Sequence, residues 1–293
     1  MSSFFSYLIN GVSLGSIYAL IALGYTMVYG IAKMLNFAHG DVIMIGGYMT
    51  FVVGTALGMP VWLTILFGIL VCTVLGVTIE KIAYKPLRAA TSLAVLITAI
   101  GVSYFLQNSA LLIWKAAARS YPPVVTGSVK IFGGKLTVSY ISLLTISACV
   151  VIMIALTLFV SKSKMGKAMR ATAQNRKMAM LLGIDADRII SLTFIIGSSL
   201  AAIGGVLIAN HVGQVNFFIG FIAGIKAFTA AVLGGIGSIP GAMVGGLVLG
   251  LCESFATGYI SSAYEDALAF ALLVLILIFR PAGILGKPKV QKV

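Results

Sequence analysis

The chain has 293 residues, 60% hydrophobic and 9% charged, with a formal net charge of +13. Soluble domains carry roughly 25% charged residues, so a water-soluble core is excluded and the expected class is an all-α polytopic integral membrane protein. The apolar runs do not alternate, which excludes an outer-membrane barrel. The cations sit between those runs with no aromatic-basic platform, which excludes a nucleic-acid partner and fits positive-inside topology.

A helical span needs about 20 apolar residues. The first, residues 5–32, is rich in Gly and Ser. Its Gly11 and Gly15 stand at the GxxxG spacing that lets a neighbouring helix approach closely. The start lacks a basic n-region and runs into this long span, so no cleaved signal peptide is expected. Residues 33–42, KMLNFAHGDV, form a polar break. Asn36 or Asp41 is expected to cap the next helix. A second reading has the helix N-terminus at Asn36, His39 and Asp41 face a substrate carboxylate.

The run 42–57 is short for a span, and 60–79 is the third. Residues 80–91 carry Lys81, Lys85 and Arg88 against one acid. The fourth span, 92–114, holds Gln107 and Asn108, which either hydrogen-bond between helices or line a polar pathway. Residues 115–138 include Pro122, Pro123, Gly133 and Gly134 and read as a structured external loop. A fifth span follows at 139–160.

Residues 161–189 form a charged interruption with seven cations against two acids. Read as one helix over 165–182, Lys164, Lys167, Arg170, Gln174 and Lys177 share a face. Gly183 is the expected terminator and Asp185 the cap of the next helix. This is either a solvated basic loop or a docking helix for a partner.

The remaining runs are 189–210, 219–238, 240–255 and 263–279, before a short basic tail, 280–293. Counting every run gives nine crossings with an external N-terminus; a re-entrant 42–57 gives eight and an internal one. The broken stretch 224–241 is expected to be irregular or re-entrant. Such backbone survives at membrane depth only when buried in protein or lining a cavity.

No Walker A loop or HExxH pair occurs in the sequence and no nucleophile elbow stands out, so the chain reads as neither an enzyme nor a metal protein. Cys72, Cys149 and Cys252 lie in apolar runs and read as packing residues. A cation at mid-bilayer costs about 2.5–3.5 kcal/mol, so Lys226 needs a partner. Glu253, the acid in the following apolar run, is the candidate.

NGVSLGSIYALIALGYTMVYGIAKMLNFAHGDVIMIGGYM, residues 10–49, strongly resembles the opening of the LivH-type permeases of bacterial ABC importers for branched-chain amino acids. GKAMRATAQNRKMAMLLGID and GIKAFTAAVLGGIGSIPGAMVGGLVLG resemble further hallmarks of that family, and the likeness covers essentially the whole chain. The resemblance implies one transmembrane permease domain over 1–293, multi-pass in the bacterial inner membrane with a cytoplasmic C-terminus. It also implies a heterodimer with a second homologous permease subunit, two cytoplasmic ATPase subunits that bind ATP and Mg, and a periplasmic substrate-binding protein. This chain would bind no cofactor itself.

The basic loop would then be the coupling helix, through Lys164, Met165, Gly166, Lys167, Arg170, Ala171, Ala173, Asn175, Lys177 and Gly183. Asn10, Tyr18, Asn36, His39, Asp41, Gln107, Asn108, Lys226 and Glu253 are the candidate translocation pathway. Two alternatives remain. One is a urea or short-amide permease of the same family. The other is a stand-alone ion-coupled transporter with Lys226 and Glu253 as its charge relay.

Overall fold

A computed structural model describes residues 2–88, 90–131 and 136–286. Gly133 and Gly134 of the expected external loop and the tail cations Lys287, Lys289 and Lys292 lie outside the described residues. The long helices are α1 (Ser2–Ala32), α2 (His39–Leu57), α3 (Val61–Ile79), α4 (Ser92–Trp114) and α5 (Tyr140–Lys162). Two short helices follow, α6 (Lys164–Gln174) and α7 (Arg176–Leu181). The last four are α8 (Ala186–Val212), α9 (Ile219–Gly234), α10 (Ile239–Tyr259) and α11 (Glu265–Phe279). Among the described residues, eight stretches are long and apolar enough to cross a membrane, and α9 is a shorter apolar helix.

The Gly11–Gly15 spacing of α1 packs on the same spacing at Gly246 and Gly250 of α10. Gly11 and Gly15 of α1 meet Leu251 and Leu247 of α10, while Gly246 and Gly250 of α10 meet Ala19 and Gly15. The residue numbers run in opposite senses, so α1 and α10 are antiparallel with their backbones nearly touching. This is the close approach that small residues permit where no hydrophobic drive operates between helices in lipid. On its other side α1 packs antiparallel to α8, with Gly24 beside Gly197 and Ile21 beside Gly204. The apolar stretch in α1 is 94% buried and the last one, residues 262–279, only 6%. Thus α1 and α8 form the centre, and α3, α4, α5 and α11 the outer shell.

Two helices begin inside the bundle. After Ala32 the chain turns at Lys33, with φ +58, and runs back inward before α2 starts. The His39 ring lies against Gly24, eight residues before the end of α1, or about 12 Å down its axis. At α9, Gly220 packs on Gly40 and Met44, and Gly224 on Gly40 and Tyr25. The N-termini of α2 and α9 therefore meet at one depth.

The irregular backbone lies in the approaches to those two helices. Residues 224–234, expected to be broken, are regular helix. The break is confined to the turn before α10, where Gly235 and Gly237 take φ +107 and +94. The N-cap of α2 is Ala38, with no side-chain cap. Asn36 instead accepts a hydrogen bond from the Tyr84 hydroxyl at 2.9 Å, because the inward run carries it past the helix start.

Helix directions alternate through the described residues. With α2 and α9 counted there are nine passes, and the N-terminus lies at the end opposite α6 and α7. Arg119–Ser120 (β1) pairs antiparallel with Gln214–Val215 (β4), fastening the 115–138 loop to the α8–α9 connection. A hairpin of β2 (Ser128–Ile131) and β3 (Leu136–Ser139) completes that end.

The 165–182 helix is two helices. Asn175 is extended at φ −153, and its side chain accepts from Met178 N at 3.1 Å, capping α7. Lys177 is thereby turned off the stripe of Lys164, Lys167 and Arg170. Gly183 ends α7 at φ +80, and Asp185 caps α8 by accepting from Asp187 N and Arg188 N at 3.1 Å each.

Candidate functional site

A cavity of about 770 Å³ opens at the end of the bundle that holds the N-terminus. It lies between α1, α8, α9, α10 and α11, with the first turn of α5 at its edge. Lys226 reaches into it from α9 and is almost fully buried. Its Nζ donates to Glu253 Oε1 at 2.8 Å, the partner expected from the sequence. It also meets Glu265 Oε1 at 2.6 Å and Asp266 Oδ1 at 2.7 Å. Tyr18 of α1 donates to the same Glu253 Oε1 at 2.9 Å. Three carboxylates thus surround one ammonium.

A buried charge without a partner is costly, and removing one member of a buried pair destabilises by about 3–5 kcal/mol. The cluster therefore fastens the first turn of α11 to α9 and α10. Glu265 and Asp266 were missed in the sequence because they mark the edge of a span. The signal was there: adjacent acids in the first turn of an apolar helix suit its N-terminal dipole. Asn10 is exposed and lines the cavity.

A second polar group lies deeper, at the start of α2. His39 stacks edge-on against Tyr25, with ring centroids 4.6 Å apart. Asp41 is fully buried, and its carboxylate faces Ser103 and Gln107 of α4 without a hydrogen bond of good geometry. Gln107 donates to Ser103 Oγ at 3.0 Å. Asn108 belongs to neither group. It sits on the exposed side of α4 and donates to the Tyr104 carbonyl of its own helix at 2.7 Å.

The opposite end carries the α6–α7 loop. Gly166 is buried against the Val160 carbonyl at the end of α5, and Arg170 donates to that same oxygen. The loop is thereby clamped to α5. Ala171 and Ala173 are half-buried, while Lys164, Met165, Lys167 and Lys177 are exposed. Met178, Met180, Leu181 and Leu182 also stand out of the fold, the two leucines 79% and 76% exposed. The sequence reading, drawn to the cations, passed over this apolar edge.

Behind the loop lies an ion network. Arg88, after α3, bonds Glu80 and Asp187, the latter at 2.5 Å. Arg176 of α7 bonds Asp187 at 2.7 Å, and Ser191 of α8 donates to Glu80 Oε2 at 2.9 Å. Glu80 closes a π-helical turn, residues Glu80–Tyr84, in which Lys85 N reaches back to Glu80 O at 2.7 Å. The network joins the loop to α3 and α8, and α8 in turn bears on Gly24 and His39 through Gly197.

Residues 7–277 match the family model described as branched-chain amino acid transport system / permease component. The chain is 49% identical to the high-affinity branched-chain amino acid transport system permease protein BraD of Pseudomonas aeruginosa, over 98% of this chain and 97% of that one. It is 48% identical to the corresponding permease protein LivH of Salmonella typhimurium, over 99% and 98%. A probable LivH of Methanocaldococcus jannaschii is 27% identical over 91% and 88%. This multi-pass membrane protein belongs to the family of permease components of branched-chain amino acid transport systems.

Proposed function

We propose that the chain is a permease subunit of an ATP-driven importer that carries leucine, isoleucine and valine across the bacterial inner membrane. The near full-length likeness to permeases named for that transport carries this reading. Residues 80–91, residues 161–189 and the tail hold fourteen of the twenty cations. The positive-inside rule puts that end, and the C-terminus, in the cytoplasm.

The chain has no nucleotide-binding motif, so the driving energy must arrive through a surface. The exposed cations and apolar edge of α6–α7 suit an ATPase cleft. Two ATPase subunits hold ATP and Mg, a second homologous permease completes the pathway, and a periplasmic binding protein delivers substrate to the cavity end. When the ATPases close, the clamp to α5 and the Asp187 network make the loop move with α5, α3 and α8. Motion of α8 reaches the buried start of α2 through Gly197. Access then alternates between the two ends.

The test is uptake into proteoliposomes by the reconstituted assembly. Leucine and valine should compete for ATP-dependent uptake, with urea inert. Urea competition would move the chain to amide transport. Uptake that survives ATP depletion and collapses with an ion gradient would point to ion coupling.

A further inference from the structure

The charged cavity holds more negative charge than its lysine balances. Lys226 offers one formal positive charge to Glu253, Glu265 and Asp266, and it engages a single oxygen of each. The second oxygen of Glu253, Oε2, is buried and has no hydrogen-bond partner. Glu253 itself is 2% exposed and lines the cavity. Glu253 also lies within hydrogen-bonding reach of Glu265, so this crowding of acids is relieved either by a proton shared between the two or by another cationic donor.

The cavity walls narrow the chemistry of that donor. Leu14, Ile208 and Ile222 supply an apolar side, and Asn10 and Asn216 a polar rim. A bare metal ion prefers a full shell of oxygen ligands and gains nothing from aliphatic walls. An organic ammonium on an aliphatic stem uses both surfaces. The volume, about 770 Å³, falls in the ordinary range for small-molecule sites. Glu265 and Asp266 are 37% and 53% exposed against 2% for Glu253, so acidity leads inward from the rim.

We propose that this cavity is a subsite that receives an aliphatic amino acid by its α-ammonium group. Glu253 is the deep acceptor, Glu265 and Asp266 are the outer acceptors, and the side chain lies against Leu14, Ile208 and Ile222. The proposal rests on the permease reading above and adds which end of the substrate this subunit holds.

The experiment uses the assembled permease pair with its ATPases in nanodiscs, without binding protein. Thermal unfolding is followed against 3-methylbutylammonium chloride, sodium 4-methylpentanoate, L-leucine and sodium chloride. The amine and leucine should raise the midpoint saturably, and the carboxylate and plain salt should not. Asp266→Asn, at the exposed rim, should weaken the amine effect severalfold. Glu253→Gln should weaken it at least tenfold, as expected for loss of a charged hydrogen bond.

If Glu253→Gln does not assemble, Ile222→Trp fills the cavity without touching a charge and should abolish the amine effect. A shift from the carboxylate alone, an equal shift from sodium chloride, or no saturable shift from either ammonium compound overturns the subsite. ATP-driven leucine uptake by the unmodified importer is scored separately. Uptake without ammonium binding rejects only the subsite, whereas absent uptake rejects the permease reading.

Discussion

Both ends of the bundle carry an ion network with a buried centre and an exposed rim, yet the two networks are opposites. At the loop end Arg88 and Arg176 converge on Glu80 and Asp187, with further cations exposed around them. At the cavity end a single lysine is outnumbered by three acids. The first network joins the loop to α3 and α8, with Arg88 Nε and Arg176 Nε left unpartnered. The second lies open to a cavity and keeps an acceptor unfilled.

The largest expected effect comes from breaking the cavity network at its centre. Lys226→Met leaves Glu253 buried beside two other acids, and the loss should be about 3–5 kcal/mol. Detergent thermal unfolding should show a strongly lowered midpoint. Replacing Glu253 by Leu as well should restore much of the stability, because an apolar pair avoids the desolvation penalty, while leucine uptake stays lost. A single variant as stable as the parent would show that the cluster does not hold α11.

Breaking the loop network should act on coupling instead. Arg88→Gln removes the cation between Glu80 and Asp187, worth about 1.5–3 kcal/mol for a charged hydrogen bond. The expected result is an assembled importer that hydrolyses ATP but moves several times less leucine per ATP. Unchanged stoichiometry would remove the network from the transmission route. Reversing charge at Lys167 and Lys177, both exposed, should weaken ATPase association and leave membrane insertion intact. Co-purification of the ATPase subunits reads that outcome.

How much of this was legible follows from what sequence periodicity encodes. The bounds of α4 could be read directly, since apolar length and polar flanks define a span. The GxxxG spacing at Gly11 and Gly15 announced close packing, and only the structure shows that its partner is the glycine pair Gly246 and Gly250. Depth is invisible to periodicity, so the meeting of the α2 and α9 N-termini at Gly40 and Gly220 could not be read. The break at Asn175 was hidden because the cation spacing stays helical across it, although Asn is a strong capping residue. In the cavity, the Lys226–Glu253 pair followed from the cost of a lone buried charge, whereas Glu265 and Asp266 passed as ordinary span-edge acids.

The smallest expected effect separates two neighbours in sequence. Gln107 and Asn108 are adjacent polar residues of α4 and were equal pathway candidates. Helical geometry turns them about 100° apart, so Gln107 is buried facing Asp41 while Asn108 is on the outer side of α4. Asn108 is satisfied within its own helix by the Tyr104 carbonyl, so Asn108→Leu should change stability by about 0.5 kcal/mol or less and leave uptake unaltered. Gln107→Leu strips a polar neighbour from a fully buried carboxylate and should lower uptake and the unfolding midpoint together. Equal phenotypes would mean that the outer side of α4 is covered by protein in the assembled importer, and Asn108 would then belong to the subunit interface.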